Sequence, residues 1–338
     1  MPLNVGILGA GNIGSAHALR LSTEISGARV AAVYDTDAPR AAALADKLDA
    51  TVSPDPETLI ADDAVDAVVI AAPGPTHAPL TIACIAARKP VLCEKPLAET
   101  AEASRAVLDA ERTYGTRLVQ LGFMRRFDLG YRRLRQAILE RSIGEVIVAH
   151  CVHRNATSAL GFTSSMLLTD SAIHEIDIMR YLLGEELVAV QVLAPKRSPL
   201  AAEGLQDPQL VLLESASGIV TDVEVFVNCR YGYEVRCEVV GSLGAASLDI
   251  PSTGSLTFEG ARRTAIAADW RDRFADAYRQ QLQHFVDGAR AGSISGPSVW
   301  DGYAATVVAA SCVRALHRGE RELVVLGERP PLYREEVA

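Results

Sequence analysis

The stretch Asn4-Val5-Gly6-Ile7-Leu8-Gly9-Ala10-Gly11-Asn12-Ile13-Gly14 decides the fold. An apolar run over 4–9 ends in glycine, and residues 12–22 follow with helical spacing. The glycines between them form a GxGxxG, which carries weight only between a strand and a helix, the context found here. Gly9 suits the tight turn, Gly11 lets a backbone approach a pyrophosphate, and Gly14 lets the helix pack close to the sheet. With Asn12 and Ile13 these glycines are the expected dinucleotide cradle, whose pyrophosphate meets the positive end of the helix dipole. A glycine turn holding no ligand is the competing reading. Asp35 ends the next apolar run, 21 residues after Gly14. A carboxylate there accepts hydrogen bonds from the adenine ribose diol and repels a 2′-phosphate, so the expected cofactor is NAD rather than NADP. Asp37 and Arg40 close by leave a solvated turn as the alternative for Asp35.

Working outward, further buried strands are expected over 29–34, 65–71, 91–93 and 118–121, with helices over 38–48, 76–87 and 100–114. Strands without polar alternation, joined by helical crossovers, predict a Rossmann-like, doubly wound parallel sheet, an α/β fold. Two turns at strand ends stand out. In Ala71-Ala72-Pro73-Gly74-Pro75-Thr76-His77 the prolines stiffen the turn and Thr76 is placed to cap the next helix. Ala72, Pro73 and His77 are candidate cofactor contacts, although His77 reads equally as an ordinary helix N-terminal residue. In Cys93-Glu94-Lys95-Pro96 a charged pair sits at the carboxyl end of a buried strand, beside the ligand crevice of such sheets. Pro96 can aim Lys95, with a cis or a trans bond.

The pattern changes after Gly122. Helices are expected over 129–141 and 169–183, then strands over 187–194, 210–215, 219–228, 233–240 and 245–250, and closing helices over 273–291 and 299–318. Strands joined directly by turns give an antiparallel or mixed sheet, so this half is α+β. The expected domains are 1–122 and 123–338, with the last helix free to pack back on the first. Within the helix over 169–183, Asp170 and His174 are spaced i and i+4 and share a face, and Asp177 lies three residues further on. A lone helical histidine is more often a satisfied core residue than a catalyst. A carboxylate that orients it suits a general base.

The 33 basic and 42 acidic side chains give a net charge of −9, which argues against a nucleic-acid coat or a polybasic membrane binder. Only Lys47, Lys89, Lys95 and Lys196 are lysines. Lysine at position 95, in a chain that otherwise favours arginine, suits a role for a compact ammonium rather than a guanidinium fork. Hydrophobic content of 49% supports packed cores, and no apolar run reaches the roughly 18 residues of a membrane span. The six cysteines form no CxxC and no zinc-ligand spacing, so no metal is expected and the thiols read as buried in a reducing compartment. The opening residues carry no basic region or cleavage site, which points to a cytoplasmic protein.

Together the GxGxxG, the AxPxxxH turn and EKP resemble the Gfo/Idh/MocA oxidoreductases, whose second signature is DxxxHxxD. The resemblance runs over nearly the whole chain, through GFMRRFD at 122–128, HCVHRN at 150–155, IHEIDIMRYLLG at 173–184, YGYEVRCEVVG at 231–241, DWRDRFADAY at 269–278 and PSVWDGY at 297–303. It is strongest to that family's inositol 2-dehydrogenases. The resemblance implies NAD-dependent oxidation of the C2 alcohol of myo-inositol. Lys95 then stands beside the nicotinamide and the reacting hydroxyl, His174 takes the hydroxyl proton, and Asp170 orients His174. Lys95, Met124, Arg125, His153, Asn155, Asp170, His174, Tyr233 and Trp270 are implied to line the polyol pocket. Glu94, Lys95 and Arg125 are implied to reach the cofactor as well. A polyol needs many donors and acceptors, which these residues supply. Read without the family, His153 could belong to a polar sheet face, Arg125 and Arg126 to a solvated surface pair, and Trp270 to a core or a subunit interface. Tyr181 stands where related enzymes often carry tryptophan, and Phe127 replaces a frequent tyrosine. The loop over 156–168 is expected at the pocket mouth, where it would tune the inositol isomer. The family also implies a homotetramer built through the outer face of the second sheet. Competing functions are a dehydrogenase of scyllo-inositol or of an aldose, and a cofactor-binding regulator without turnover.

Overall fold

In the computed structural model, which describes residues 1–248 and 255–334, the opening apolar run is strand β1 (Leu3–Leu8) and the residues after the glycines form α1 (Asn12–Thr23). The chain then alternates through β2 (Ala28–Tyr34), α2 (Ala38–Leu48), β3 (Thr51–Val52), α3 (Pro56–Ala61), β4 (Ala67–Ile70), α4 (His77–Ala86), β5 (Val91–Cys93), α5 (Ala101–Tyr114) and β6 (Val119–Leu121). All strand pairs are parallel and their order is β3-β2-β1-β4-β5-β6, the doubly wound arrangement expected. The order reverses between β1 and β4, and ligand crevices open beyond the carboxyl ends of strands at such a switch point. Residues before several helices explain where they start. Asp37 accepts from the Arg40 N–H ahead of α2, and Thr100 from the Ala103 N–H ahead of α5. Thr76, expected to cap α4, instead donates its hydroxyl to Pro73 O at 2.7 Å and so closes the preceding turn on itself.

The second part of the chain contains α6 (Leu129–Leu139), β7 (Val146–Arg154), α7 (Ile173–Leu183), β8 (Leu187–Leu193), β9 (Gln209–Ser215), β10 (Val220–Phe226), β11 (Glu234–Gly241) and β12 (Ala245–Ser247). A hairpin of β13 (Ser255–Phe258) and β14 (Ala261–Thr264) follows, then α8 (Trp270–Arg273), α9 (Ala275–Ala291), α10 (Val299–Arg318) and β15 (Glu322–Leu323). The seven-stranded sheet runs β12-β11-β7-β10-β9-β8-β15. Only β7 and β10 pair in parallel, so the sheet is mixed and largely antiparallel. Its strands alternate buried and part-exposed residues, the mark of a sheet with one covered face. The strand expected over 245–250 ends at Ser247, and residues 249 and 250 lie outside the described residues.

The chain forms two compact units that do not follow a single cut in sequence. The first takes Met1–Met124, Tyr278–Thr306 and the tail from Leu326, and the second takes Arg125–Ala277 and Val307–Val325. The sequence predicts one boundary after Gly122, with a return of the last helix to the first domain allowed. The return of α9 has a simple cause, because Leu282, Phe285 and Val286 are buried in the same core as Val5, Ile7, Val33 and Leu92. Full burial of side chains of this size stabilises by about 1.5–3 kcal/mol each. Among the described residues no helix is long and apolar enough to cross a membrane, and no group of three or more His, Cys, Asp or Glu could hold a metal ion.

Candidate active site

In the first unit the glycine turn is shaped as a cradle. Gly9 has φ +99°, and a Cβ there would lie 2.5 Å from Ala71 O at the end of β4. A Cβ on Gly14 would lie 1.8 Å from Gly9 O, so α1 can start against this turn only with glycine at that place. A Cβ on Gly11 would meet nothing within 4 Å, so the backbone there faces open space of the kind a pyrophosphate requires. Asn12 and Ile13 form the first turn of α1, with Asn12 exposed. Asp35 is tied to this turn, since Ala10 N–H donates to its Oδ2 at 2.6 Å and Asp37 N–H to its Oδ1 at 2.8 Å. A carboxylate has further acceptor capacity for a ribose diol. Arg40 is engaged by Asp37 at 2.8 Å and stands 3.6 Å from Asp35, so two carboxylates surround this cation. These residues fit NAD.

The Glu94-Lys95-Pro96 turn follows β5, two strands along from β1. Its Lys95–Pro96 bond is cis, one of the two forms left open by the sequence. Glu94 is 6% exposed, and its Oε1 lies 2.7 Å from Nε2 of the fully buried His17 on α1. The Lys95 N–H donates to Glu94 Oε2 at 3.3 Å. This buried contact fastens the dinucleotide helix to the lysine turn, while the other ring nitrogen of His17, Nδ1, is buried without a hydrogen-bond partner. Glu94, expected to meet the cofactor, is thus also engaged by His17 through one carboxylate oxygen. His17 was not among the expected residues, and its signal was its place one turn beyond Gly14 on an otherwise apolar helix face. Lys95 itself is half-buried. His77, also expected among the cofactor contacts, is 2% exposed and has both ring nitrogens against backbone carbonyls, Pro96 O and Ala72 O, at 2.7 Å each. Ala72 is half-buried and Pro73 exposed in the same turn.

In the second unit α7 carries the chemistry. Nine of its eleven residues are buried, including His174, Glu175, Asp177 and Arg180. Burial of charge requires partners. Arg125 pairs with Glu175, Arg126 with Asp177 through Nε to Oδ2 at 2.9 Å, and Arg180 with Glu186 at 2.6 Å. Arg125 is 1% exposed, so the reading of Arg125 and Arg126 as a solvated pair is wrong. Asp177, three residues after His174, turns to Arg126. Glu175, outside the expected site residues, is the centre of the cluster. Its Oε2 lies 3.0 Å from His153 Nδ1 and its Oε1 meets Arg125. Burial alone would push the Glu175 carboxyl up, but Arg125 and His153 outweigh it and hold the carboxyl down at about 2. The sequence signal was an acid flanked by Ile173, Ile176 and Ile178 in a largely apolar helix.

His153 faces the buried side of β7 with Ala149 and Cys151, while His150 pairs with Asp222 on the other face. The His153 ring lies 6.4 Å from that of His174 and packs edge-on to Tyr233 at 5.9 Å, and Tyr233 in turn packs on Phe274 at 6.3 Å. Arg125 lies over Phe274. Burial pushes the Tyr233 phenol up to about 12, so it stays a neutral donor near neutral pH. Arg125, His153, His174 and Tyr233 are therefore gathered in one cluster. Asn155 continues β7, its N–H donating to Phe226 O at 2.9 Å, while its side-chain Oδ1 is buried without a partner. Trp270 opens α8 behind an Asp269 cap and is half-buried, not core. Met124, 2% exposed, ends the first stretch of the first unit.

The approach to His174 departs from expectation. Residues before it do not continue an α-helix; Leu167–Ser171 is a π turn, closed by Ala172 N–H donating to Leu167 O at 2.8 Å. Asp170 lies inside this wider turn, so the simple i, i+4 argument for a shared face with His174 does not apply. Single π turns recur at functional sites, where they re-aim side chains.

Residues 3–123 match the NAD-binding Rossmann fold of the oxidoreductase family GFO_IDH_MocA, and residues 135–323 match the C-terminal alpha/beta domain of that family. The chain is 48% identical to an inositol 2-dehydrogenase of Pseudomonas fluorescens (strain SBW25) over 337 residues, 98% of this chain and 100% of that protein. It is 46% identical to an inositol 2-dehydrogenase of Burkholderia cenocepacia (strain HI2424) over 99% of this chain and 100% of that protein. A crystal structure of myo-inositol dehydrogenase from Lactobacillus casei in complex with NAD(H) and myo-inositol is similar with a TM-score of 0.96 at 36% identity, covering 99% of this chain and 100% of that one.

Proposed function

The chain belongs to the Gfo/Idh/MocA oxidoreductase family, and from that premise we propose that it oxidises the C2 alcohol of myo-inositol to the 2-keto product with NAD. The observation that carries this reading is the full-length similarity to an enzyme solved with NAD(H) and myo-inositol, in a chain that keeps the EKP lysine and the DxxxH histidine. The residues that hold NAD are Gly9, Gly11, Asn12, Ile13, Gly14 and Asp35, with Ala72 and Pro73 along the same crevice. Bound NAD supplies the acceptor for the hydrogen that leaves C2 with its electron pair. His174 takes the hydroxyl proton as general base. The Lys95 ammonium donates to the same oxygen, where negative charge grows as the proton leaves. Asp170 orients His174. Arg125, His153, Asn155, Tyr233 and Trp270 meet the remaining hydroxyls, Met124 gives an apolar contact, and Glu175 keeps Arg125 and His153 in place. A site of buried polar groups penalises analogues that lack a hydroxyl, because its donors are then left unsatisfied.

The test is reduction of cofactor, followed by absorbance, with a panel of inositol isomers and aldoses and with NAD or NADP at equal concentration. Fastest turnover of myo-inositol with NAD is the expected outcome. Faster turnover with NADP would remove the role given to Asp35, and no turnover of any polyol despite NAD binding would favour a regulator.

The protein works as a cytoplasmic homotetramer in this reading. The outer face of the seven-stranded sheet supports the assembly, since it holds a broad hollow of about 1010 Å³ lined by Val152, Leu210 and Phe226 among Arg154, Glu224 and Arg236. Light scattering that gave a mass near the single-chain 36.1 kDa would contradict the tetramer.

A further inference from the structure

We propose that His77 is a buried imidazolium that positions the Lys95 turn, donating from both ring nitrogens to the two backbone turns that border the cofactor cradle. His77 opens α4 and is 2% exposed. Its Nδ1 lies 2.7 Å from Pro96 O and its Nε2 lies 2.7 Å from Ala72 O. A carbonyl oxygen only accepts, and a neutral imidazole carries a single N–H. Neutral His77 would set a ring lone pair against a carbonyl lone pair at hydrogen-bond distance and leave a buried acceptor unsatisfied. The doubly protonated ring satisfies both carbonyls.

The two turns it joins are the two that matter for the site. Pro96 directly follows Lys95, and Ala72 borders Gly9 so closely that a Cβ on Gly9 would lie 2.7 Å from Ala72 N. One ring therefore sets the spacing between the lysine turn and the glycine turn. The titratable groups around it are few. Cys93 faces it from the end of β5, and Cys84 of α4 interacts with Cys93 in turn. Glu99 flanks the outer part of the 71–77 turn, 3.5 Å from where a Cβ on Gly74 would stand. Burial opposes the charge on His77. The Cys93 sulfur and the two carbonyls outweigh it, so the ring is raised from the ordinary histidine value to about 9. The sign follows: the clamp contributes its full stability below the ordinary value of 6.5 and loses it as the pH rises through about 9.

The kinetic arm of the test rests on the reaction proposed above, whereas the spectroscopic arm does not. In protein labelled with ¹⁵N-histidine, long-range ¹H–¹⁵N spectra near neutral pH should show one ring with both nitrogens protonated. That signal should persist to about pH 9 and be missing from His77→Gln. A single neutral tautomer for His77 near neutral pH would overturn the proposal. Glutamine reaches one carbonyl and leaves the other loose, so His77→Gln should keep its Michaelis constant for NAD while kcat falls by about 10²-fold, the scale of a misplaced catalytic group. A folded His77→Gln with unchanged kcat would overturn the positioning role. Should His77→Gln not fold, the wild-type spectrum decides alone. Should the wild type reduce NAD with no polyol, the proposed reaction fails and the spectrum still decides the charge on His77.

Discussion

His174→Gln lowers turnover of myo-inositol by about 10²–10⁴-fold, the usual contribution of a positioned general base, while NAD binding is retained. The expectation rests on where the ring sits. His174 is 8% exposed, is the second residue of α7 just past the Leu167–Ser171 π turn, and lies 6.4 Å from the His153 ring. Its neighbours on α7 are already committed, Glu175 to Arg125 and His153, and Asp177 to Arg126. The variant keeps size and polarity but cannot take a proton, so kcat should fall much further than the Michaelis constant changes. Initial rates of NAD reduction with saturating substrate, together with a fluorescence titration of NAD, separate the two quantities. Turnover equal to that of the wild type would remove His174 from the mechanism.

Lys95→Met should cost about 10²–10³-fold in kcat, the loss seen when one donor to a developing oxyanion is removed. Lys95→Arg should not restore the rate. The ammonium is a compact point charge at the end of a flexible stem, and a planar guanidinium cannot take its place at an oxygen approached from a fixed turn. That turn is held from both sides, by Glu94 bound to His17 and by Pro96 O on His77. Comparing kcat for the two variants at matched NAD occupancy checks this, and a near-wild-type rate for Lys95→Arg would show that charge alone suffices.

Much of the first unit was legible because its strands are buried on both faces and their sequences are apolar without alternation. The glycine spacing then located the switch point. Placement of α9 was not legible, since an amphipathic helix states that it has a core face but not which core it joins. The β13–β14 hairpin was not legible because its strands are only four residues each, exposed throughout, and β14 (Ala-Arg-Arg-Thr) carries no apolar alternation. The π turn was missed because hydrophobic spacing does not distinguish an i+4 from an i+5 hydrogen bond. For the site, residue types that offer chemistry outward were readable from motifs. Residues that hold them were not. His17, Glu175 and the double contact of His77 depend on partners distant in sequence, as Glu175 on Arg125, 50 residues away. An acid or histidine within an apolar helix signals that a partner exists without naming it.

In the proposed reaction hydrogen passes from C2 of myo-inositol directly to NAD. Turnover of myo-inositol carrying deuterium at C2 tests it most directly, with mass analysis of the reduced cofactor and of the ketone. Direct hydride transfer should leave deuterium in the recovered NADH, with none washed into solvent, and give a slower rate in single turnover than with unlabelled substrate. Deuterium retained in the product, or released to water while NAD stays oxidised, would contradict it.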